Sequence, residues 1–96
     1  MLGQRISQLR IAMGWSQVDM AKRLGVAKQT VSNWENDNIQ PSIEMLVRVA
    51  KILNVSTDYL LGLSDDRCLN VQGLPAKVIG HLSLLIEDYR AIYEVH

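Results

Sequence analysis

The stretch Ser16-Gln17-Val18-Asp19-Met20-Ala21-Lys22-Arg23-Leu24-Gly25, continued by Val26-Ala27-Lys28-Gln29-Thr30-Val31-Ser32-Asn33-Trp34-Glu35-Asn36, decides the fold. Met20, Ala21 and Leu24 share one helical face, while Asp19, Lys22 and Arg23 point away from it. Ser16 has the side-chain oxygen that caps such a helix, and Gly25 has the freedom to stop it. In the second half Ala27, Val31 and Trp34 fall on one side, and Gln29, Ser32, Asn33 and Asn36 fall on the other. The spacing predicts helix, turn, helix, with an apolar inner face and an outer face rich in amides.

A helix face that serves solubility alone is usually charged. Amides donate and accept at once, so Gln and Asn can pair with the N6/N7 edge of adenine, and hydroxyls can contact several base edges. On these residues the chain resembles the helix-turn-helix domain of the phage-repressor and Cro-like (XRE-type) family. Ala21, Gly25 and the apolar Met20, Leu24, Val26, Val31 and Trp34 fall where that family has them. The resemblance covers roughly residues 2 to 63 and implies an all-α fold, a five-helix lambda-repressor-like DNA-binding domain. Two positions depart from the pattern. Ala27 stands where a Ser or Thr cap is common, which weakens that cap by ~1 kcal/mol. Asp37 stands where Gly often follows the helix, and Asp tolerates the left-handed region better than most residues.

The resemblance also implies contacts. Lys28, Gln29 and Asn33 match base-reading positions, with Thr30 and Ser32 as weaker candidates. Gln17 matches a helix start whose amide hydrogens approach a phosphate, and Asn36 matches a backbone contact beyond the recognition helix. Lys28 suits guanine O6/N7 or a phosphate; Gln29 and Asn33 suit adenine. Taken singly, each also reads as an ordinary solvated side chain. Arg10 and Glu35 match an ion pair of the resembled repressors, with a phosphate contact as the alternative for Arg10.

Outward from this stretch, Ile6, Leu9 and Met13 recur at helical spacing from Gly3, and Gly14 closes that first helix. After a polar connection, Ser42 caps a helix with Glu44 in its first turn. There Ile43, Leu46, Val47, Ala50 and Leu53 make one apolar face and Met45, Val49 and Ile52 a second. Only Glu44, Arg48 and Lys51 are polar, so this helix is expected to be central and covered on most sides. Ser56 caps a short helix that Gly62 ends, with Val55 and Leu60 placed as a hydrophobic staple.

Residues 1–63 therefore read as the DNA-binding domain, 64–73 as a linker and 74–96 as a further amphipathic helix, opened by Pro75. Val78, Leu82, Leu85, Tyr89 and Ile92 alternate steps of four and three like a coiled-coil seam, flanked by Ile79, Ile86 and Tyr93. So broad a stripe has to bury something. It either folds back on Met45, Val49 and Ile52, or serves dimerisation through Val78, Leu82, Leu85, Ile86, Tyr89, Ile92 and Tyr93.

With 96 residues, 48% hydrophobic and 21% charged, the chain is sized for one small globular domain with an appendage. Net charge is zero, but residues 1–63 hold seven basic against five acidic groups and residues 64–96 hold three against five. Such a binder leans on a small, shaped contact surface more than on a broad positive field. Cys68 is alone, which excludes an intrachain disulfide and a Cys-based zinc site and leaves an ordinary reduced thiol or a redox sensor. His81 and His96 lack an acid and a nucleophile at recognisable spacing, and Asp65-Asp66 and Glu87-Asp88 are neighbours that do not converge on one point. No catalytic residue, metal site or cofactor is expected. Met1 to Arg5 lack the pattern of a secretion signal and no apolar run reaches ~18 residues, so a cytoplasmic protein without membrane contact is expected.

The resemblance implies a transcriptional regulator, a repressor that binds an inverted-repeat operator on double-stranded DNA as a homodimer. The alternative is a protein-interaction module, such as an antitoxin or a sequestering regulator. Its carboxy-terminal helix would take a protein antagonist or a toxin.

Overall fold

The computed structural model describes residues 2–65 and 69–94, with only the backbone for Tyr93 and Glu94. Asp66, Cys68, His96 and the side chain of Tyr93 lie outside the described residues. The elements are α1 (Leu2–Ala12), α2 (Gln17–Leu24), α3 (Lys28–Glu35), α4 (Ile43–Ile52), α5 (Thr57–Leu61) and α6 (Ala76–Glu94). Among the described residues there is no strand.

Local chemistry sets most of the boundaries. At the start of α2 the Asp19 N–H donates to Ser16 Oγ at 3.0 Å, and the Ser16 N–H donates back to Asp19 Oδ2 at 2.9 Å, a complete capping box. The bond from the Ser16 backbone, followed by that from its side chain, holds the Asp19 carboxyl below its usual value. Gly25, at φ 70°, ends the helix in the left-handed region that its missing Cβ makes accessible. Ser42 and Ser56 cap α4 and α5 through the N–H groups of Met45 and Tyr59, at 3.2 and 3.0 Å. Asp37 takes φ 57° after α3, the left-handed turn that the sequence pattern asked of it. Ala27 sits at the cap position of α3, as the resemblance implied, but it is exposed rather than sharing the buried side with Val31 and Trp34.

The core joins Ile6 of α1, Met20 and Leu24 of α2, Val31 and Trp34 of α3, Val49 and Ala50 of α4, Leu53, and Leu60 of α5. α3 lies between α1 and α2, while α4 packs on α2 and α5. The approach of α1 to α3 requires Gly3. Its N–H donates to Asp37 Oδ1 at 3.1 Å, and a Cβ on Gly3 would stand 2.6 Å from the Glu35 carbonyl oxygen and nearer still to that of Trp34.

The expectation that α4 is central and covered on most sides is not met. Val49, Ala50 and Leu53 are buried and Met45, Leu46 and Ile52 pack beside them, but Ile43 is 83% exposed and Val47 is exposed as well. Only α2 and α5 flank this helix substantially, so Met45, Val49 and Ile52 are covered while Ile43 and Val47, on the edge of the other apolar face, have too few neighbours to cover them. The middle of the domain belongs to α3 instead. Arg48, on the polar strip of α4, donates through Nη2 to the Leu24 carbonyl oxygen at 2.8 Å and closes the end of α2.

α6 does not fold back. Ile79 and Leu82 are half-buried, but Val78, Leu84, Leu85, Ile86, Tyr89 and Ile92 are exposed, and Met45 and Ile52 pack on the core instead. The radius of gyration is 15.1 Å, larger than the ~12.5 Å of a compact chain of this length, as a projecting helix requires. Arg5 holds the start of the connecting segment: Nη1 donates to the Tyr59 carbonyl oxygen at 2.7 Å, Nη2 donates to Asp65 Oδ1 at 3.1 Å, and the guanidinium lies 4.4 Å from the centre of the Tyr59 ring. Among the described residues no helix is long and apolar enough to cross a membrane.

Candidate nucleic-acid interface

Burial of Val31 and Trp34 sets the rotation of α3 and thereby its outward face. Lys28, Gln29 and Asn36 are exposed on it, and Thr30, Ser32 and Asn33 are half-buried at its margins. Six of the seven residues expected to meet DNA thus lie on one short helix and its cap. Two side-chain bonds run along the helix: Gln29 Nε2 donates to Asn33 Oδ1 at 3.1 Å, and Asn36 Nδ2 donates to Ser32 Oγ at 3.3 Å. Ala27 offers no side-chain acceptor to the first turn of α3, so capping does not stabilise this end.

The other end is clamped. Glu35 accepts from Arg10 Nε at 2.7 Å and Arg10 Nη2 at 3.1 Å, and the Arg10 and Glu35 side chains are only 12% and 6% exposed. Arg10 Nη1 donates to the Trp15 carbonyl oxygen at 2.8 Å, so this guanidinium is occupied along its whole fork and the ion-pair reading of Arg10 holds. Burial with matched bidentate geometry makes the pair a fixed strut from α1 to the end of α3.

Gln17, the seventh residue, stands at the first position of α2 as expected, but its side chain turns inward. Its Nε2 donates to Glu35 Oε1 at 3.1 Å, which makes Gln17 the third member of the clamp. What Gln17 has left for an anion is its backbone N–H at a helix start. The sequence carried no signal for this bond, because an amide and an acid 18 residues apart meet only once α2 crosses α3. Arg23, in the last turn of α2, holds its guanidinium 4.3 Å from the centre of the Trp15 ring, so its positive charge is fixed over the residue that precedes the Ser16 cap.

The helix-turn-helix family profile matches residues 6–60. The chain is 32% identical to the transcriptional regulator ImmR of Bacillus subtilis over 87 residues, 91% of this chain and 68% of ImmR. It is 44% identical to the transcriptional regulator SinR of Bacillus subtilis, of which it spans 56%. The crystal structure of SinR, the master regulator for biofilm formation, in complex with DNA matches at a TM-score of 0.60 and 42% identity over 64% of this chain and 98% of that one. A chain from the complex of SinR with the SinI protein matches at a TM-score of 0.61 and 29% identity, with both chains covered in full. A profile spanning more than half the chain, the α2-turn-α3 geometry, these relatives and 34% identity to the C2 repressor of Salmonella phage P22 over 61 residues lead to one conclusion: the chain belongs to the helix-turn-helix family of transcriptional regulators that includes the phage repressors.

Proposed function

We propose that this protein is a cytoplasmic repressor that binds an inverted-repeat operator as a homodimer, each α3 entering the major groove of one half-site. The single observation that carries the reading is the division of α3. Val31 and Trp34 hold one side in the core while Lys28, Gln29, Thr30, Ser32, Asn33 and Asn36 leave the other side and its end polar and nearly uncharged. Amides on an outward face serve base edges better than they serve solubility. The backbone N–H of Gln17 and the cation of Arg23 suit the phosphates beside the groove. SinR, whose DNA-binding domain this one resembles, has been seen on DNA, which supports the same use of α3 here. No catalytic step forms part of this reading.

The dimer rests on α6. Its exposed Val78, Leu85, Ile86, Tyr89 and Ile92, with half-buried Leu82, would be covered by the same helix of a second copy. Half-site centres would then lie about ten base pairs apart. A second reading has one observation in its favour: the full-length match to a chain of the SinR–SinI complex suggests that α6 meets a protein antagonist.

The test is selection of bound duplexes from a random DNA library by the full chain at about 150 mM salt, where purely electrostatic binding is weak. Recovery of an inverted repeat is the expected result. No enrichment by a folded protein overturns the operator reading and leaves the antagonist. Sedimentation of the variant carrying Leu85→Asp and Tyr89→Asp tests the dimer separately: a folded monomer is expected, and an unchanged dimer mass would place the interface elsewhere.

A further inference from the structure

Gln29 and Asn33 were each expected to hold an adenine with its own bidentate amide. That mode needs both the oxygen and the nitrogen of one amide to be available to one base. In the structure they are shared differently: Gln29 Nε2 donates to Asn33 Oδ1 at 3.1 Å. Beyond that bond Gln29 keeps its oxygen, an acceptor, and the second hydrogen of Nε2, and Asn33 keeps its nitrogen, a donor. Gln29 is exposed on the outward face of α3 and Asn33 is half-buried at its margin, four positions and about one turn away. As an i, i+4 amide pair in contact with water, this bond contributes only slightly to the stability of the helix itself.

We propose that Gln29 and Asn33 read DNA as one hydrogen-bonded unit, which offers the Gln29 acceptor and the Asn33 donor to a single A·T pair. This rests on the DNA-reading role of α3 proposed above. Across the major groove an A·T pair presents an acceptor at N7, a donor at N6 and an acceptor at O4. Gln29 Oε1 accepts from N6, and Asn33 Nδ2 donates to N7 or O4. A G·C pair presents N7 and O6 in sequence on its purine, so Gln29 Oε1 meets a second acceptor and is repelled. The internal bond also holds both side chains before DNA arrives, and less rotamer freedom is lost on binding.

The experiment takes a duplex selected from a random library by the full chain, together with duplexes in which each base pair is replaced in turn. Wild type, Gln29→Ala, Asn33→Ala and the double variant are measured on all of them, with thermal melts to verify folding. Each single variant is expected to lose about tenfold in affinity and to relax preference at the same base pair. The double variant should lose no more than the weaker-binding single one, because a unit is lost only once. Asn33→Asp, which keeps an acceptor for Gln29 and removes only the donor, should relax that same base pair. Single variants that relax two different base pairs, with losses that multiply in the double variant, overturn the unit and leave α3 as the reading helix. Single variants that bind every duplex like wild type overturn both.

Discussion

Two helices of equal length, Gln17–Leu24 and Lys28–Glu35, stand side by side and draw their stability from different sources. α2 carries its own punctuation: a reciprocal capping box at Ser16 and Asp19 and a left-handed Gly25. α3 has no side-chain cap and is held from outside, by burial of Val31 and Trp34 and by the clamp of Arg10 and Gln17 on Glu35. A helix anchored through its inner face and its far end needs nothing from its outer face. Lys28, Gln29, Ser32, Asn33 and Asn36 therefore lie outside the contacts that hold the helix in place.

The largest test of this contrast is Trp34→Ala. Removing a buried indole should cost about 3–5 kcal/mol, read as a loss in urea unfolding, whereas a locally stabilised helix would lose far less. Next comes Arg10→Ala, which strands a Glu35 side chain only 6% exposed. The expected loss is about 3 kcal/mol, against ~0–1 for a surface pair, and replacing both partners with Met should restore much of it. A loss within the surface range would show that α3 is not held by its clamp.

The caps should then give effects of equal size and opposite sign. Ser16→Ala should lower stability by ~1 kcal/mol, and Ala27→Ser should raise it by up to about as much; both are read from thermal melts. A neutral Ala27→Ser would mean that the first turn of α3 is already satisfied by other groups. The smallest effect is one of pH. The folded-state pKa of Asp19 lies below its ordinary 3.8, so its contribution is fully present above that value and is lost as pH falls through the lowered one. Asp19→Asn should flatten the acid limb of the stability curve only in that window. An identical limb in wild type and variant would remove Asp19 from the account.

The elements legible in the sequence are those whose physics is local. Ser16, Ser42 and Ser56 cap an N–H three residues on, and Gly25 and Gly62 end their helices in the left-handed region, all where spacing alone put them. Met20, Leu24, Val31 and Trp34 are buried as their period demanded. For α4 the period identified apolar positions but not how many neighbours would arrive to cover them, and Ile43 and Val47 stayed in contact with solvent. The inward turn of the Gln17 side chain has no periodic signature either, because it depends on where α2 crosses α3.

The amino-acid sequence by itself determined the helices, their caps, the turn between α2 and α3, and which side of α3 is greasy and which is amide. Each depends on residues within about one turn of one another, where backbone geometry fixes the distances. Only the tertiary structure decided that Gly3 would admit α1 to the end of α3 and that Arg48 would close α2. Only the tertiary structure, too, brought Gln17 to Glu35 and left α6 projecting from the domain with most of its stripe exposed. Those contacts join residues 18 to 34 positions apart, or depend on how many helices converge on one face. No periodicity along the chain encodes such distances; they arise when packed helices cross.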